Sequence, residues 1–204
     1  MSKPIIAVDV DDVLGDQITA IRLFANKQYG HNHTAEDFLV PGEYWGYWNS
    51  IWGVDSEEGD RRLAEYLASG GNAHIEPAAD AAAVLEKLQK CFELVIITAR
   101  QVEYADESKE WLERYFPAMF SDVHFVSRLA DGTRVPKAVI AKRINASYLI
   151  DDNYEHCELA VHEGIECLLF GSYGWNQQFV DLPTGMTRVK DWLAVGEYFD
   201  GRVD

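Results

Sequence analysis

The chain has 204 residues, enough for one domain with a good core and room for a sizeable insertion. It carries 18 Lys and Arg against 34 Asp and Glu, a formal charge of −16 with no basic block, so nucleic-acid polymers and anionic membranes are not expected partners; a small phosphorylated metabolite remains, provided a metal offsets its charge. Three widely spaced cysteines, Cys91, Cys157 and Cys167, form no Cys-x-x-Cys pair, which argues against a disulfide framework or a zinc site and favours a reducing, cytoplasmic setting. An expected strand lies within four residues of Met1, and no apolar run approaches a signal-peptide core or a membrane span. Nothing in the pattern fixes the oligomeric state.

The first element is Pro4 to Val8, an apolar run that breaks into Asp9, Asp11, Asp12 and Asp16. Such a run reads as a strand buried on both faces, at home in the middle of a parallel sheet, where ligands bind beyond the carboxyl ends of the strands. Asp9 and Asp11, two residues apart, face the same side. Crowded, partly desolvated carboxylates need a partner, and Mg²⁺ is the simplest; a turn of solvated acids is the alternative. An EF-hand is excluded, because Leu14 stands where Gly is needed and Ala20 where the bidentate Glu belongs.

Ile18, Ile21, Ala25 and Tyr29 then recur at helical spacing before Gly30, predicting a helix over 16–29. His31-Asn32-His33 is a turn that lacks a third metal ligand, and Thr34 with Asp37 resembles a capping box. Residues 38–52 crowd Phe38, Tyr44, Trp45, Tyr47, Trp48 and Trp52 among glycines without a clean period. This is either a small satellite core or an aromatic wall able to stack a flat group such as a nucleobase. A helix beginning at Ser56 carries Leu63, Tyr66 and Leu67 and ends at Ser69-Gly70-Gly71, a plausible hinge. Residues 16–74 thus read as a small helical insertion, and 1–15 with 75–204 as the α/β part.

Beyond Pro77 a helix over 78–90 leads to a buried strand at 93–97 that ends in Thr98-Ala99-Arg100. The Thr98 hydroxyl can donate to a phosphate oxygen or cap the next helix; Arg100 can hold a phosphate or pair with nearby acids. A helix over 103–115, a strand at 123–126 and a helix opening at Pro136-Lys137 follow. Lys137 at a helix amino end opposes the helix dipole, so an anion in front of it would explain it. A strand at 147–150 ends in Asp151-Asp152-Asn153, repeating the logic of the first. A helix over 154–163, a fifth strand at 167–170, a loop over 171–185 with Trp175 and Asn176, and a helix around 191–199 complete an α/β, doubly wound parallel sheet.

Asp9-Val10-Asp11, Thr98, Lys137 and Asp151-Asp152, in that order, resemble the haloacid dehalogenase (HAD) superfamily of phosphohydrolases over nearly the whole chain. The insertion stands where that superfamily carries a helical C1-type cap on its Rossmann-type core, and the Asp-Val-Asp-Asp-Val-Leu opening is similar to the 5′(3′)-deoxyribonucleotidase group. The resemblance implies a Mg²⁺-dependent phosphomonoesterase. Asp9 would be the nucleophile that forms an aspartyl-phosphate, Asp11 the general acid and base, Thr98 the phosphoryl-binding hydroxyl and Lys137 the charge-balancing ammonium, with Lys142 second to it. Asp9, the Asp11 carbonyl and Asp151 would hold the metal, and Asp152 would support it through water. Substrate contacts are expected from Thr98, Ala99 and Arg100, and from Trp45 and Trp48 if the substrate is a nucleotide. Sugar phosphates are the main other substrates, and a catalytically silent binding protein is the rival class. The sequence departs from the superfamily at Asp12, where Gly is common.

Overall fold

The computed structural model describes residues 2–126 and 135–202. Its sheet has six parallel strands, β1 (Ile5–Val8), β2 (Glu93–Thr98), β3 (Asp122–Phe125), β4 (Ala146–Asp151), β5 (Glu166–Phe170) and β6 (Met186–Val189), in the order β3-β2-β1-β4-β5-β6. Neighbouring side chains along a strand point to opposite faces, so unbroken apolar runs supply two cores at once. Ile6, Val8, Leu94, Ile96 and Leu168 face α4 (Ala81–Leu88), α5 (Ala105–Tyr115) and α8 (Trp192–Asp200). Ala7, Val95, Ile97, Leu149 and Cys167 face α6 (Lys137–Arg143) and α7 (Tyr154–His162). The chain is doubly wound, as expected, and the strand order turns back between β1 and β4, the switch point at which such sheets open a crevice.

β6 was not expected. In Met186–Val189 only Met186 and Val189 are buried, so no apolar run marks it; the segment pairs along the edge strand β5, from Cys167↔Met186 to Phe170↔Val189. Arg188 within it reaches the carbonyls of Gly171, Asn176 and Phe179, which fastens the loop that precedes it. Smaller differences have local causes. α3 (Ser56–Ala68) is capped by Asp55, whose carboxylate accepts from Glu58 N–H, rather than by Ser56. Asp80, at φ +63, delays α4 to Ala81, and the Thr34 box closes only a short 3₁₀ turn at Glu36–Leu39, with Thr34 N–H donating to Asp37 at 2.7 Å.

Between β1 and β2 the chain forms α1 (Gln17–Tyr29), α2 (Tyr47–Trp52), α3 and a 3₁₀ turn at Gly71–His74. This stretch buries two small clusters, one of Ile18, Phe38 and Tyr47 with Trp175 from the loop after β5, the other of Ile21, Ala25, Trp52 and Tyr66. The loop from β1 to α1 is anchored from both sides. The Val10 carbonyl accepts from Leu14 and Gly15 N–H, and the Trp192 indole donates to Val13 O at 2.8 Å. The Trp111 indole donates to Ile75 O at 2.8 Å and leaves no room above Gly15.

A Cβ on Gly15 would lie 2.7 Å from Ile75 Cγ2 and 3.1 Å from the Trp111 ring. Gly15→Ala is therefore expected to lower stability by about 1–3 kcal/mol, read as a shifted midpoint in urea unfolding with an unchanged slope.

Candidate active site

β1 ends at Val8 and hands Asp9 into the crevice, where the Asp9 N–H continues the ladder to Ile150 O at 3.0 Å. β4, paired with β1, ends on Asp151, and Asp152 follows. All three acids are buried, and each offers a carboxylate oxygen within 4.8 Å of the others. Between them lies the Lys137 ammonium, 2.6 Å from Asp9 Oδ2 and 2.7 Å from Asp151 Oδ2. These acids are the anion that the lysine at the amino end of α6 was expected to meet. Lys142 is exposed instead and pairs with Glu163.

The two acids that share Lys137 are not equivalent. Burial alone would raise Asp151, but Lys137 and His156 outweigh it and hold that carboxyl well below the usual range. His156 Nδ1 lies 3.2 Å from Asp151 Oδ1, and the Asn153 N–H donates to the same oxygen at 3.0 Å. Asp9 has no such support. Its Oδ1 is buried without a hydrogen-bond partner among the described residues, and burial, with Asp151 and Asp11 beside it, pushes its carboxyl up to about 6 despite Lys137. Asp152 is pushed well up by burial and by its acidic neighbours; its Oδ2 accepts from the Trp175 indole at 2.8 Å. One ammonium faces three carboxylates here, with one carboxylate oxygen unpaired. A hard divalent cation fits this oxygen donor set, because it supplies the missing positive charge and a partner for Asp9 Oδ1.

The other acids of the first loop take chain donors. Asp11 is gripped by Arg100, with Nη2 at 2.6 Å and Nε at 3.0 Å from Oδ1, and Arg100 also reaches Ser108 Oγ at 3.3 Å. Of the two readings for Arg100, the structure has the acid pair. Asp12 sits at φ +57, a region that favours Gly, and its Oδ1 accepts from Ile18 N–H at 2.9 Å. Thr98 is buried at the tip of β2, and its Oγ1 accepts from Arg100 N–H at 3.2 Å.

Asp9, Asp11, Ala99 and Arg100 form the floor of a cavity of about 540 Å³, whose wall includes Tyr44, Trp45, Trp48 and Tyr66 from the inserted segment. Trp45 is 56% exposed, whereas Trp48 is half-buried between Phe38 and Trp52, so the aromatic segment is in part a satellite core and in part a cavity wall. The residue pattern assigns no role to His156, places Tyr44 only within the aromatic segment, and puts Trp175 in a loop. The position of His156 in the first turn after Asp151-Asp152 was the one available signal; Trp175 and Tyr44 reach the site only through the folded chain.

This is the fold and acid arrangement of a HAD-type phosphatase. The family described as "5′ nucleotidase, deoxy (Pyrimidine), cytosolic type C protein" matches residues 3–199, and the chain belongs to it. Similar solved structures include a haloacid dehalogenase-like hydrolase from Streptococcus pneumoniae, 17% identical with TM-score 0.69 over 97% of this chain and 99% of that one. A Clostridium difficile protein assigned to the phosphatases is 16% identical, also at 0.69 over 97% and 99%. A HAD-type hydrolase from Bacillus subtilis, solved with magnesium bound, is 13% identical at 0.60 over 98% and 100%. At these identities the likeness concerns the fold. A comparison with curated proteins gave no match. Among the described residues, no helix is long and apolar enough to cross a membrane.

Removing Lys137 would strand buried carboxylates. Lys137→Ala is expected to destabilise the metal-free protein by about 3–5 kcal/mol at neutral pH, measured by urea unfolding in the presence of a chelator. The loss should shrink as pH falls, because the orphaned acids then take up protons.

Proposed function

We propose that the protein is a Mg²⁺-dependent phosphomonoesterase that works through an aspartyl-phosphate on Asp9 and acts on a nucleoside monophosphate. The observation that carries this reading is the meeting of Asp9, Asp151 and Asp152 around Lys137 at the β1/β4 switch point, with an unpartnered Asp9 oxygen beside a cavity floored by Thr98's neighbours. Asp9, the Asp11 carbonyl and Asp151 would hold Mg²⁺, with Asp152 supporting it through water. Bound there, the cation would lower the cost of bringing an anionic phosphoryl group to a carboxylate nucleophile.

The chain's own groups divide the remaining work. An Asp9 oxygen attacks phosphorus as the bond to the leaving oxygen breaks, and Asp11 delivers a proton to that oxygen. Water then attacks the aspartyl-phosphate, giving its proton to Asp11 and releasing phosphate and free Asp9. Thr98 donates to a phosphoryl oxygen and Lys137 balances charge on another. Arg100 exchanges the Asp11 carboxylate for a phosphoryl oxygen as substrate enters. Residues 16–74 serve as a cap over the core built by 1–15 and 75–204, and Trp45 and Trp48 offer faces on which a base stacks. The family's own description, a deoxynucleotidase with pyrimidine preference, supports a nucleotide over a sugar phosphate.

The test is phosphate release across nucleoside monophosphates and sugar phosphates, with and without Mg²⁺. Turnover should require Mg²⁺, and Asp9→Asn should lose at least about 10³-fold in kcat while keeping its unfolding midpoint. Persistent turnover in that variant would refute the nucleophile. Trp45→Ala should raise KM for nucleoside monophosphates about 10-fold, in line with one lost base stack, and leave sugar phosphates little changed; equal effects on both would remove the nucleobase from the reading.

A further inference from the structure

Trp175 is buried and touches both the acids and the inserted segment. Its indole N–H donates to Asp152 Oδ2 at 2.8 Å, and indole nitrogen is a donor only, so that proton has one use here. The neighbouring Asn176 holds the same residue from behind, its Nδ2 donating to Asp152 O at 2.8 Å and to Phe170 O at 2.9 Å. The ring itself is boxed in. Tyr173 stacks on it at 4.9 Å and 15°, while Tyr44 and Tyr47 meet it edge-on at 5.7 Å and 5.1 Å. Tyr173 also donates to Asp12 O at 2.7 Å, and Tyr44 lies edge-on to His156, the ring beside Asp151.

We propose that Trp175 is a positioning residue for the cation site: it fixes the Asp152 carboxylate through its indole N–H and couples that acid to the inserted segment through Tyr44 and Tyr47. This rests on the reading of a divalent-cation site given above and goes beyond it, because it assigns a loop residue outside the four sequence motifs. The physical argument is one of alternatives. Asp152 is buried beside Asp9 and Asp151, and its carboxylate form is repelled by them and would turn away if free. A hydrogen bond to a charged acceptor is worth about 1.5–3 kcal/mol, enough to hold one rotamer against that repulsion. Partners that orient the ligands typically change metal affinity 10–100-fold when removed, and a partner acting on an acid that supports the cation through water is expected at the lower end of that range. The three rings packed on the indole make it rigid, so the aim of its N–H is set by the cap side of the molecule as much as by the core.

The test is Mg²⁺ binding measured by calorimetry on the full chain, with no substrate present. Trp175→Phe keeps an aromatic ring and removes the donor. If that variant does not fold, Trp175 replaced by 3-benzothienylalanine keeps the outline of the bicyclic ring and still lacks the N–H. Either replacement should raise the Mg²⁺ dissociation constant about 10-fold. In an Asp152→Ala background the same replacement should add nothing, since its effect runs through that carboxylate. Wild-type affinity in a donor-free variant would overturn this inference alone, as would an equal loss in the Asp152→Ala background. A wild-type chain that binds no Mg²⁺ would overturn the proposed function together with it.

Discussion

The Lys137 ammonium between Asp9 and Asp151 is the contact on which the rest of the molecule depends. β1 and β4 are the central pair of the sheet, and their parallel register brings two carboxylates to the same edge. Left alone, those charges would oppose the pairing that places them there. The lysine enters from α6 on one face and joins both strand tips, with its long stem packed so that only 2% of the residue is exposed. An ammonium at a helix amino end is unfavourable by itself, and two acids at hydrogen-bond distance more than offset it. Sheet topology, the start of α6 and the charge balance of the crevice are thus one arrangement. Its three carboxylates outnumber its one ammonium, and that imbalance suits it to a cation in a way that a closed structural ion pair would not be.

The inserted segment is tied to the core on both sides. Gly42 N–H donates to Gly174 O at 3.0 Å and Gly174 N–H donates to Phe38 O at 3.2 Å, while within the segment Tyr47 OH donates to Val40 O at 2.8 Å. A side chain at Gly174 could not be accommodated, because its Cβ would fall 2.0 Å from the Tyr47 hydroxyl and 2.2 Å from Val40 O. The other side differs. Gly70, at φ +75, has open space around it and lies just before the turn that returns the chain to β2. The aromatic wall of the cavity is therefore held against the loop after β5, and the return from α3 is held by α5, whose Trp111 and Arg114 donate to Ile75 O and Ala73 O. Tyr44 and Trp175 stay in contact on the first side, and Tyr66 and Leu67 line the cavity on the second.

Most of this architecture was legible in the residue pattern. Unbroken apolar runs marked β1, β2, β4 and β5, since strands buried on both faces leave no alternation to misread. Paired acids after β1 and β4 pointed to one crevice, and the misfit of Lys137 with its helix pointed to an anion. What stayed hidden was non-local. β6 has two polar residues in four and owes its strand state to the edge of β5. The Trp175 contact spans 23 residues and the Tyr173 contact 161, separations at which local pattern carries no information. The aromatic run at 38–52 supported two readings because both describe it: Phe38, Tyr47 and Trp52 are buried, whereas Trp45 stands on the cavity rim.

The acids of the first loop also show why a count of carboxylates does not define a site. In sequence, Asp9, Asp11, Asp12 and Asp16 form one cluster, and it was their number that suggested a metal. In the folded chain each of the four finds a protein donor: Asp9 shares the Lys137 ammonium, Asp11 takes the Arg100 fork, Asp12 the Ile18 N–H, and Asp16 the Thr19 N–H at the start of α1. Asp12 stands where the superfamily resemblance led us to expect Gly, and it adopts the positive φ that makes Gly favourable there. Asp is among the side chains that tolerate this region, and its carboxylate becomes a helix cap, so the departure leaves the turn intact. Among the described residues, Asp9 alone of the four keeps a buried oxygen with no hydrogen-bond partner, and the two acids grouped with it stand at the end of β4, far away in sequence. The group with a deficit of positive charge is thus drawn from two strand tips and not from one acidic turn, and it is that deficit, rather than acidity as such, that gives the crevice its chemistry.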